Sequence, residues 1–268
     1  MKRIFIFSLL SILLGSCVNN SNNEEYVSPI TPLISYSVLN AYPHDTLLFT
    51  EGFLFHNGKL YESTGSPEDL PKTKSLVGIS DLLTGKFNSK IELDKKLYFG
   101  EGIVFMNNKL YQLTYKNKVG FIYDEKTFKK IGEFKYSNEE GWSLTTDGQS
   151  IIMSDGSSNL TYLDPDKLSL TKILKVTENG LPRDSLNELE FIKGFIYANI
   201  WRNNSVVKIN PTNGNVIGRI DLGQLMDMEQ NKNSHVDVLN GIAYDSTNDK
   251  IYVTGKLWSK IYQINFNH

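Results

Sequence analysis

Short runs of alternating apolar and polar residues recur along the chain, and each pair of runs is separated by a turn signal. The segment EGFLFHNGKLYESTG begins at Glu51, and EGIVFMNNKLYQLTY begins at Glu101 with the same apolar and turn positions. Looser copies begin at Trp142, Asn187 and Asn240. Alternation of period two around Asn-Gly or Asp-Gly is typical of a β-hairpin. The pattern therefore predicts five hairpins in a repeat protein.

A second pair of runs follows each of the first four copies, with its own central turn. Two hairpins make four strands per repeat, and residues 33–268 divide into five repeats of about 47 residues, a length typical of β-propeller blades. The fifth copy ends one strand short, and the segment LISYSVLNAY (33–42) can supply that strand. No stretch shows a helical period over ten residues. We therefore expect an all-β chain forming one five-bladed β-propeller with four-stranded blades, closed by pairing of its N- and C-terminal strands.

Composition and charge narrow the possible functions. The 268 residues are 40% hydrophobic and 12% aromatic, which excludes a disordered chain. A net charge of -2 provides no positive excess to neutralise phosphates, so we expect a small or peptide ligand and no nucleic acid. The single cysteine excludes a disulfide framework or a multi-thiol metal site, and four histidines leave few ligands for a transition metal.

The first residues of the chain form a targeting signal. Lys2 and Arg3 precede an apolar run that is too short to be a permanent bilayer-spanning helix, and the run ends in LGSC. LGSC resembles a bacterial lipobox, in which cleavage occurs before the cysteine and the cysteine carries lipid. We expect residues 1–16 to be a lipoprotein signal peptide, Cys17 to be lipidated, and residues 17–32 to be a flexible tether. An ordinary secretory signal with an incidental cysteine is the alternative.

Chemically distinctive residues collect at equivalent ends of the predicted hairpins. The first strand of a propeller blade lines the axis, and a hairpin returns the chain to the face it left. Both ends of each hairpin should therefore meet at one mouth of the ring. The starting residues are Glu51, Glu101, Trp142, Asn187 and Asn240, and the ending residues are Thr64, Tyr115, Asp155, Trp201 and Lys256. We also expect Trp258 at this mouth.

Taken one at a time, such residues are also common as strand caps, core aromatics or surface charges. Their coincidence at equivalent points of different repeats is what indicates a site. Acids, amides, aromatic rings and one cation around a mouth are typical of a site for a small ligand.

Ten short segments carry a second signal. They are YPHD, FTEG, FGEG, GFIYD, GWSLTTDG, MSDGS, LNELE, ANIW, DVLNGIAYD and TGKLW, in this order between residues 42 and 258. Together they resemble the glutamine cyclotransferases, the plant-type glutaminyl cyclases that also occur in bacteria. The resemblance implies a five-bladed propeller that converts the N-terminal glutamine of peptides or proteins to pyroglutamate and releases ammonia. It also implies that no catalytic metal and no cofactor take part.

The same resemblance implies roles for individual residues. Glu101 of FGEG matches the proton-transferring carboxylate of the family, and Asn187 and Lys256 complete the catalytic set. Substrate binding is implied for five further residues: Trp142, Trp201, Tyr115, Glu51 and Phe49.

Three positions depart from the usual family pattern. Glu51 stands where the family usually has Gln, Tyr115 where it usually has Trp, and Ser143 where it usually has Gly. A second carboxylate beside Glu101 is expected to raise the pKa of Glu101 by repulsion, or to attract the ammonium of the substrate. The departures therefore bear on substrate preference or pH optimum more than on the type of reaction.

Two other functions remain open from the sequence. A lipid-anchored propeller that binds peptides without turnover would keep the same mouth, with Glu51 and Tyr115 as marks of divergence. A calcium-dependent hydrolase such as a lactonase would use Glu51, Glu101, Asn187 and Asn240 as oxygen ligands. We expect a monomeric cyclotransferase in the bacterial cell envelope, a periplasmic or outer-membrane lipoprotein that contacts the membrane only through its lipid.

Lipidation at Cys17 predicts that the Cys17→Ala variant leaves the membrane fraction, because the soluble propeller has no other anchor in this interpretation. Membrane fractionation and incorporation of a labelled fatty acid measure this. A Cys17→Ala variant that stays membrane-bound, or a wild-type chain that incorporates no label, would contradict the lipobox interpretation.

Overall fold

The computed structural model describes residues 30–268. The predicted signal peptide (1–16), Cys17 and the tether up to residue 29 lie outside the described residues. Within the described part, five four-stranded antiparallel sheets form the blades, and a two-stranded sheet is added to them. The predicted five-bladed propeller is confirmed.

The strands follow the predicted repeat. The first strand, β1 (Tyr36–Pro43), belongs to the last blade. Blade 1 contains β2 (Phe49–His56), β3 (Lys59–Gly65), β4 (Leu76–Ser80) and β5 (Phe87–Glu92). Blade 2 contains β6 (Gly100–Met106), β7 (Lys109–Thr114), β8 (Val119–Asp124) and β9 (Lys130–Lys135). Blade 3 contains β10 (Ser143–Thr146), β11 (Ile151–Ser154), β12 (Asn159–Leu163) and β13 (Leu170–Lys175).

The remaining elements contain two departures from the repeat. Before blade 4 the chain forms a small hairpin of β14 (Thr177–Glu178) and β15 (Leu181–Pro182). Blade 4 contains β16 (Leu186–Ile192), β17 (Phe195–Ile200), β18 (Ser205–Ile209) and β19 (Val216–Asp221), and helix α1 (Gly223–Gln230) follows. Blade 5 contains β20 (Leu239–Asp245), β21 (Lys250–Gly255) and β22 (Lys260–Phe266). Helix α1 was not predicted because its eight residues are too few to show a helical period.

The ring closes as the incomplete fifth repeat predicted. Strand β1 pairs antiparallel with β22 from Tyr36 opposite Phe266 to Pro43 opposite Lys260. The outermost strand of blade 5 therefore comes from the N-terminal side of the propeller. This pairing joins the two ends of the ring and removes an open edge.

Hydrophobic packing lies between the blades. Five clusters of buried apolar side chains each join two neighbouring blades, so every blade buries both of its faces. The inner strands β2, β6, β10, β16 and β20 contact one another around the axis. Helix α1 packs Leu225 and Met226 into the cluster between blades 4 and 5. No helix within residues 30–268 is long and apolar enough to span a bilayer.

The turns use the residues that the sequence signals indicated. Asn57 and Gly58, at the tip of the first hairpin, both have positive φ angles, 49° and 72°. This pair of angles is the requirement of a type I′ turn, which matches the twist of the two strands it joins. The hairpins therefore return each chain segment to the face on which its inner strand began.

Candidate active site

Irregularities in strand pairing occur where the predicted site residues begin their hairpins. The register shifts within β2, β6, β16 and β20, next to Glu51, Glu101, Asn187 and Asn240 respectively. A β-bulge adds a residue to one strand and redirects side chains, which is why bulges are common beside active sites. The bulges therefore change the direction of the first side chains of these inner strands relative to the regularly alternating side chains that follow.

Hydrogen bonds from the preceding blade hold two of these bulges. The Ser63 hydroxyl donates to the backbone carbonyl of Glu101 at 2.5 Å, and the Ser154 hydroxyl donates to that of Asn187 at 2.8 Å. Both serines lie on the second strand of their blade. Each site residue is therefore fixed by the neighbouring blade as well as by its own.

Glycine after the bulge residue allows neighbouring inner strands to approach. A Cβ atom on Gly102 would lie 2.4 Å from the Cα atom of Ser143, and one on Gly52 would lie 2.9 Å from the backbone nitrogen of Ile103. Blade 4 has Glu188 at this point. Its carboxylate crosses to the backbone N–H groups of Phe53 (3.2 Å) and Ile242 (2.8 Å). The Glu-Gly pairs of the sequence thus have a packing role as well as a chemical one.

A cavity of about 240 Å³ lies at this end of the ring. All eight residues predicted for catalysis and substrate binding line it: Phe49, Glu51, Glu101, Tyr115, Trp142, Asn187, Trp201 and Lys256. Four further residues complete the lining: Pro67, Phe99, Arg202 and Asp237. Phe99 and Asp237 lie within the FGEG and DVLNGIAYD segments, so the sequence held a signal for them. Pro67 and Arg202 lie in loops that no sequence pattern distinguished.

Glu51 and Lys256 form a buried ion pair in this cavity. The Lys256 Nζ donates to Glu51 Oε1 at 2.6 Å, and the two side chains are 8% and 4% exposed. The same Nζ lies 4.5 Å from the centre of the Phe49 ring, within the range of a cation–π contact. Burial raises the pKa of Glu51, and the Lys256 ammonium opposes that rise. The ion pair offsets the effect of burial only in part: burial, with a smaller contribution from Asp237, raises the pKa of Glu51 to about 7.

Glu101 is the second buried carboxylate of the site. Burial raises the pKa of Glu101 well above its usual range, and the Glu51 carboxylate raises it further. Lys256 opposes the rise, whereas Glu140 adds to it. Two neighbouring carboxylates beside one ammonium titrate as a coupled pair. The carboxylate without the close ammonium contact, here Glu101, keeps its proton to higher pH. Glu101 is therefore the group of the pair suited to exchange a proton.

Aromatic rings form two walls of the cavity. Trp142 and Trp201 meet edge to face, with ring centres 5.6 Å apart and planes at 75°. The Trp142 indole N–H donates to Glu140 Oε2 at 2.8 Å, which fixes the ring. On the other wall, the Phe99 ring lies between those of Phe49 (6.3 Å) and Tyr115 (5.8 Å).

Comparison with known proteins places this geometry in a family. The family model described as glutamine cyclotransferase matches residues 8–266. The chain belongs to the glutamine cyclotransferase family. A curated relative, the glutaminyl-peptide cyclotransferase of Arabidopsis thaliana, is 39% identical over 229 residues, which cover 85% of this chain and 70% of the relative. The crystal structure of the glutaminyl cyclase of Myxococcus xanthus superposes with a TM-score of 0.80 at 32% identity, covering 88% of this chain and 98% of the other.

Four residues expected at the mouth of this cyclotransferase fold do not line the cavity: Trp258, Thr64, Asp155 and Asn240. Trp258 is fully buried in the cluster between blades 4 and 5, and its indole N–H donates to the carbonyl of Asp237 at 3.0 Å. The expectation for Trp258 was wrong, because its indole fills the space left by Gly255, where a Cβ atom would lie 2.2 Å from the ring. Thr64 and Asp155, at the ends of their hairpins, are also absent from the lining.

Asn240 occupies the equivalent bulge of blade 5 but serves the fold. It is completely buried, and its amide donates to the backbone carbonyl of Thr50 at 2.9 Å. The four oxygen ligands considered for calcium therefore do not all face the cavity. Among residues 30–268, no group of three or more His, Cys, Asp or Glu side chains is arranged to hold a metal ion.

Replacing Glu51 with Gln should lower the pKa of Glu101. The substitution removes a nearby negative charge that raises this pKa and leaves the Lys256 charge that lowers it. A ¹³C NMR titration of the glutamate carboxyl groups measures the shift. The exposed Glu133 on β9 provides a matched control, since Glu133→Gln should leave the Glu101 titration unchanged. An unchanged or higher Glu101 pKa in Glu51→Gln would contradict this electrostatic interpretation.

Proposed function

We propose that this chain converts the N-terminal glutamine of peptides or proteins to pyroglutamate, with Glu101 transferring the protons. In this reaction the α-amine attacks the Cδ atom of its own side-chain carboxamide, the Cδ–N bond breaks, and ammonia leaves. The nucleophile is tethered to its target, so little of the barrier is the entropy of bringing the two together. The difficult part is the movement of protons and the charge that develops on the carboxamide oxygen.

The observation that carries the proposal is the position of Glu101, which is buried at the cavity together with the Glu51–Lys256 ion pair. The attacking amine must lose a proton, and the departing nitrogen must gain one. A single carboxyl group can take the first and deliver the second when its pKa lies near the working pH. The raised pKa of Glu101, caused by burial and by Glu51, brings the group toward that range.

Lys256 and Asn187 are the groups we assign to the carboxamide. The Lys256 ammonium has three N–H donors and uses one on Glu51, which leaves donors for the developing oxyanion. Asn187 lines the cavity, and its buried Oδ1 atom has no hydrogen-bond partner among residues 30–268. Such an unused acceptor is the kind of group that a substrate N–H satisfies.

The aromatic walls select the shape of the substrate in this proposal. Trp142, Trp201 and Tyr115 surround the cavity with flat apolar surface, against which a glutamine side chain folds into a compact conformer. Ring faces also attract a cationic amine. Glu51 provides a further attraction for the substrate's ammonium, in addition to its effect on Glu101.

The catalytic groups in this proposal are side chains alone, without a metal ion. The Lys256 ammonium stabilises the charge on the carboxamide oxygen, which is the part a Lewis acid would otherwise play, and Asn187 Oδ1 accepts a substrate N–H. We further propose that the chain acts as a monomer, anchored in the bacterial cell envelope by lipid on Cys17. The anchoring proposal is supported by the lipobox-like sequence, which lies outside residues 30–268.

The Glu101→Gln variant should lose about 10²–10⁴-fold in kcat because Gln cannot exchange the proton. Ammonia release from a Gln-initiated peptide measures the activity. Gln has the shape of the protonated carboxyl group, so thermal unfolding should match that of the wild-type chain. Glu139→Gln, an exposed change in the loop beyond β9, is the control that should retain full activity.

Full activity in Glu101→Gln would overturn the assignment of the proton-transferring group. If the wild-type chain bound the peptide without releasing ammonia, the alternative of a non-catalytic peptide-binding propeller would stand instead.

A further inference from the structure

Two loops on the active-site face are longer than the repeat requires. The loop between the second and third strands spans residues 115–118, 155–158, 201–204 and 256–259 in blades 2 to 5, but 66–75 in blade 1. The linker into the inner strand spans 93–99, 136–142 and 176–185 before blades 2 to 4, but 222–238 before blade 5. Loops longer than a fold needs commonly carry function. We name these two the long loop (66–75) and the helical linker (222–238).

A groove of about 450 Å³ lies between the long loop and the helical linker. Asp69 and Leu70 line it from the long loop, and Met226 and Val236 are among the lining residues of the helical linker. Leu257, in the loop after β21, also contributes. The groove therefore combines an apolar surface with an exposed carboxylate on one wall.

The groove adjoins the active-site cavity at three points. Asp237 lines both spaces. Pro67 lines the cavity, and Asp69 of the same loop lines the groove. Lys256 lines the cavity, whereas the next residue, Leu257, lines the groove. A chain that leaves the cavity past Asp237 therefore enters the groove.

The long loop is held in place by its own hydrogen bonds. The Leu70 N–H donates to the Pro67 carbonyl at 3.1 Å, and the Leu70 carbonyl accepts the Thr73 N–H at 3.0 Å and hydroxyl at 2.7 Å. Lys95 from the adjacent linker donates to the Pro71 carbonyl at 2.9 Å. This wall of the groove therefore exists before any ligand arrives.

The helical linker is fixed to blade 5 through one buried carboxylate. Glu229 of α1 accepts the backbone N–H and the hydroxyl of Ser259, both at 2.7 Å, and the Tyr262 hydroxyl at 2.6 Å. Farther along, the Asp237 N–H donates to the Lys256 carbonyl at 3.0 Å. Two preformed walls keep the ordering cost of binding an extended chain low.

We propose that this groove binds the residues that directly follow the N-terminal glutamine of a peptide substrate. The assignment rests on the proposed function of the cavity, since the rest of a peptide must leave through the mouth once its first residue is inside. Leu70, Met226 and Leu257 favour an apolar side chain in this part of the peptide. Asp69 and Asp237 favour a basic one over an acidic one.

The test compares kcat/KM of the full chain for three probes: glutamine amide, the pentapeptide Gln-Gly-Gly-Gly-Gly and the pentapeptide Gln-Leu-Lys-Gly-Gly. Glutamine amide ends inside the cavity and does not reach the groove. The Leu-Lys peptide should exceed both other probes by about tenfold, the effect of burying part of one apolar side chain.

Charge reversal in the long loop distinguishes a direct effect of the groove on the peptide from a general effect of surface charge. Asp69→Lys should lower kcat/KM for the Leu-Lys peptide by about two- to fivefold, as expected for one exposed charge pair, and leave glutamine amide unchanged. Glu68→Lys makes the same charge change next to it, at an exposed residue that does not line the groove, and should affect neither substrate.

Equal kcat/KM values for all three probes, or equal effects of Asp69→Lys and Glu68→Lys, would overturn the groove assignment. A preference for an acidic residue would also overturn it, and would point to Arg202, which lines the cavity and stacks on Trp201. Failure of the wild-type chain to cyclise glutamine amide would instead count against the proposed function of the cavity.

Discussion

The close approach of five inner strands around one axis is the constraint from which the site follows. At Gly102 the neighbouring backbone is so near that a Cβ atom would lie 2.4 Å from Ser143 Cα. Such contact leaves room for no side chain on that residue, so the preceding residue in the bulge carries the chemistry. The same Glu-Gly arrangement occurs in blades 1 and 2, where it brings Glu51 and Glu101 to one cavity. The same Glu-Gly bulge therefore allows the strands to pack closely around the axis and places the two carboxylates at the cavity.

This placement buries two carboxylates close to one ammonium. All three are buried side chains of the same cavity, and burial penalises each charged form. The 2.6 Å contact between Glu51 and Lys256 offsets part of that cost for these two groups. Within the part of the chain that the structure describes, no cation makes such a close contact with Glu101, so the cost of burial falls mainly on its ionised form. An uneven distribution of partners thus distinguishes two carboxylates that the sequence presents in the same motif.

Much of the fold could be predicted because the alternation of apolar and polar residues and the turn signals recur in every repeat. The closing role of β1 followed from the missing strand of the fifth repeat. Helix α1 and the long loop 66–75 could not be predicted in this way, because each occurs once and neither has a period. These two insertions are the elements that border the proposed peptide groove. The repeated blades were therefore predictable from the sequence, whereas helix α1 and the long loop, which each occur once, were not.

The site was predictable to the extent that residue type and repeat position determine it. Seven of the eight predicted residues meet at one cavity because equivalent hairpin ends share a face, and Phe49 lies there two residues before Glu51 on the same strand. Trp258 does not face the cavity because its indole fills the space left by Gly255, where a Cβ atom would lie 2.2 Å from the Trp258 ring. Asn240 does not face it because its amide joins blade 5 to blade 1. Only the packing distinguishes these two from their equivalents in other blades.

Cyclisation by the side chains of this cavity alone can be tested by mass spectrometry of a Gln-initiated peptide incubated with the full chain and a metal chelator. The peptide should lose the mass of one ammonia at the same rate with and without the chelator. A matched Asn-initiated peptide should remain intact, because its shorter side chain cannot form the five-membered ring. An unaltered Gln peptide, or ammonia loss that the chelator abolishes, would show that these side chains do not carry out the cyclisation by themselves.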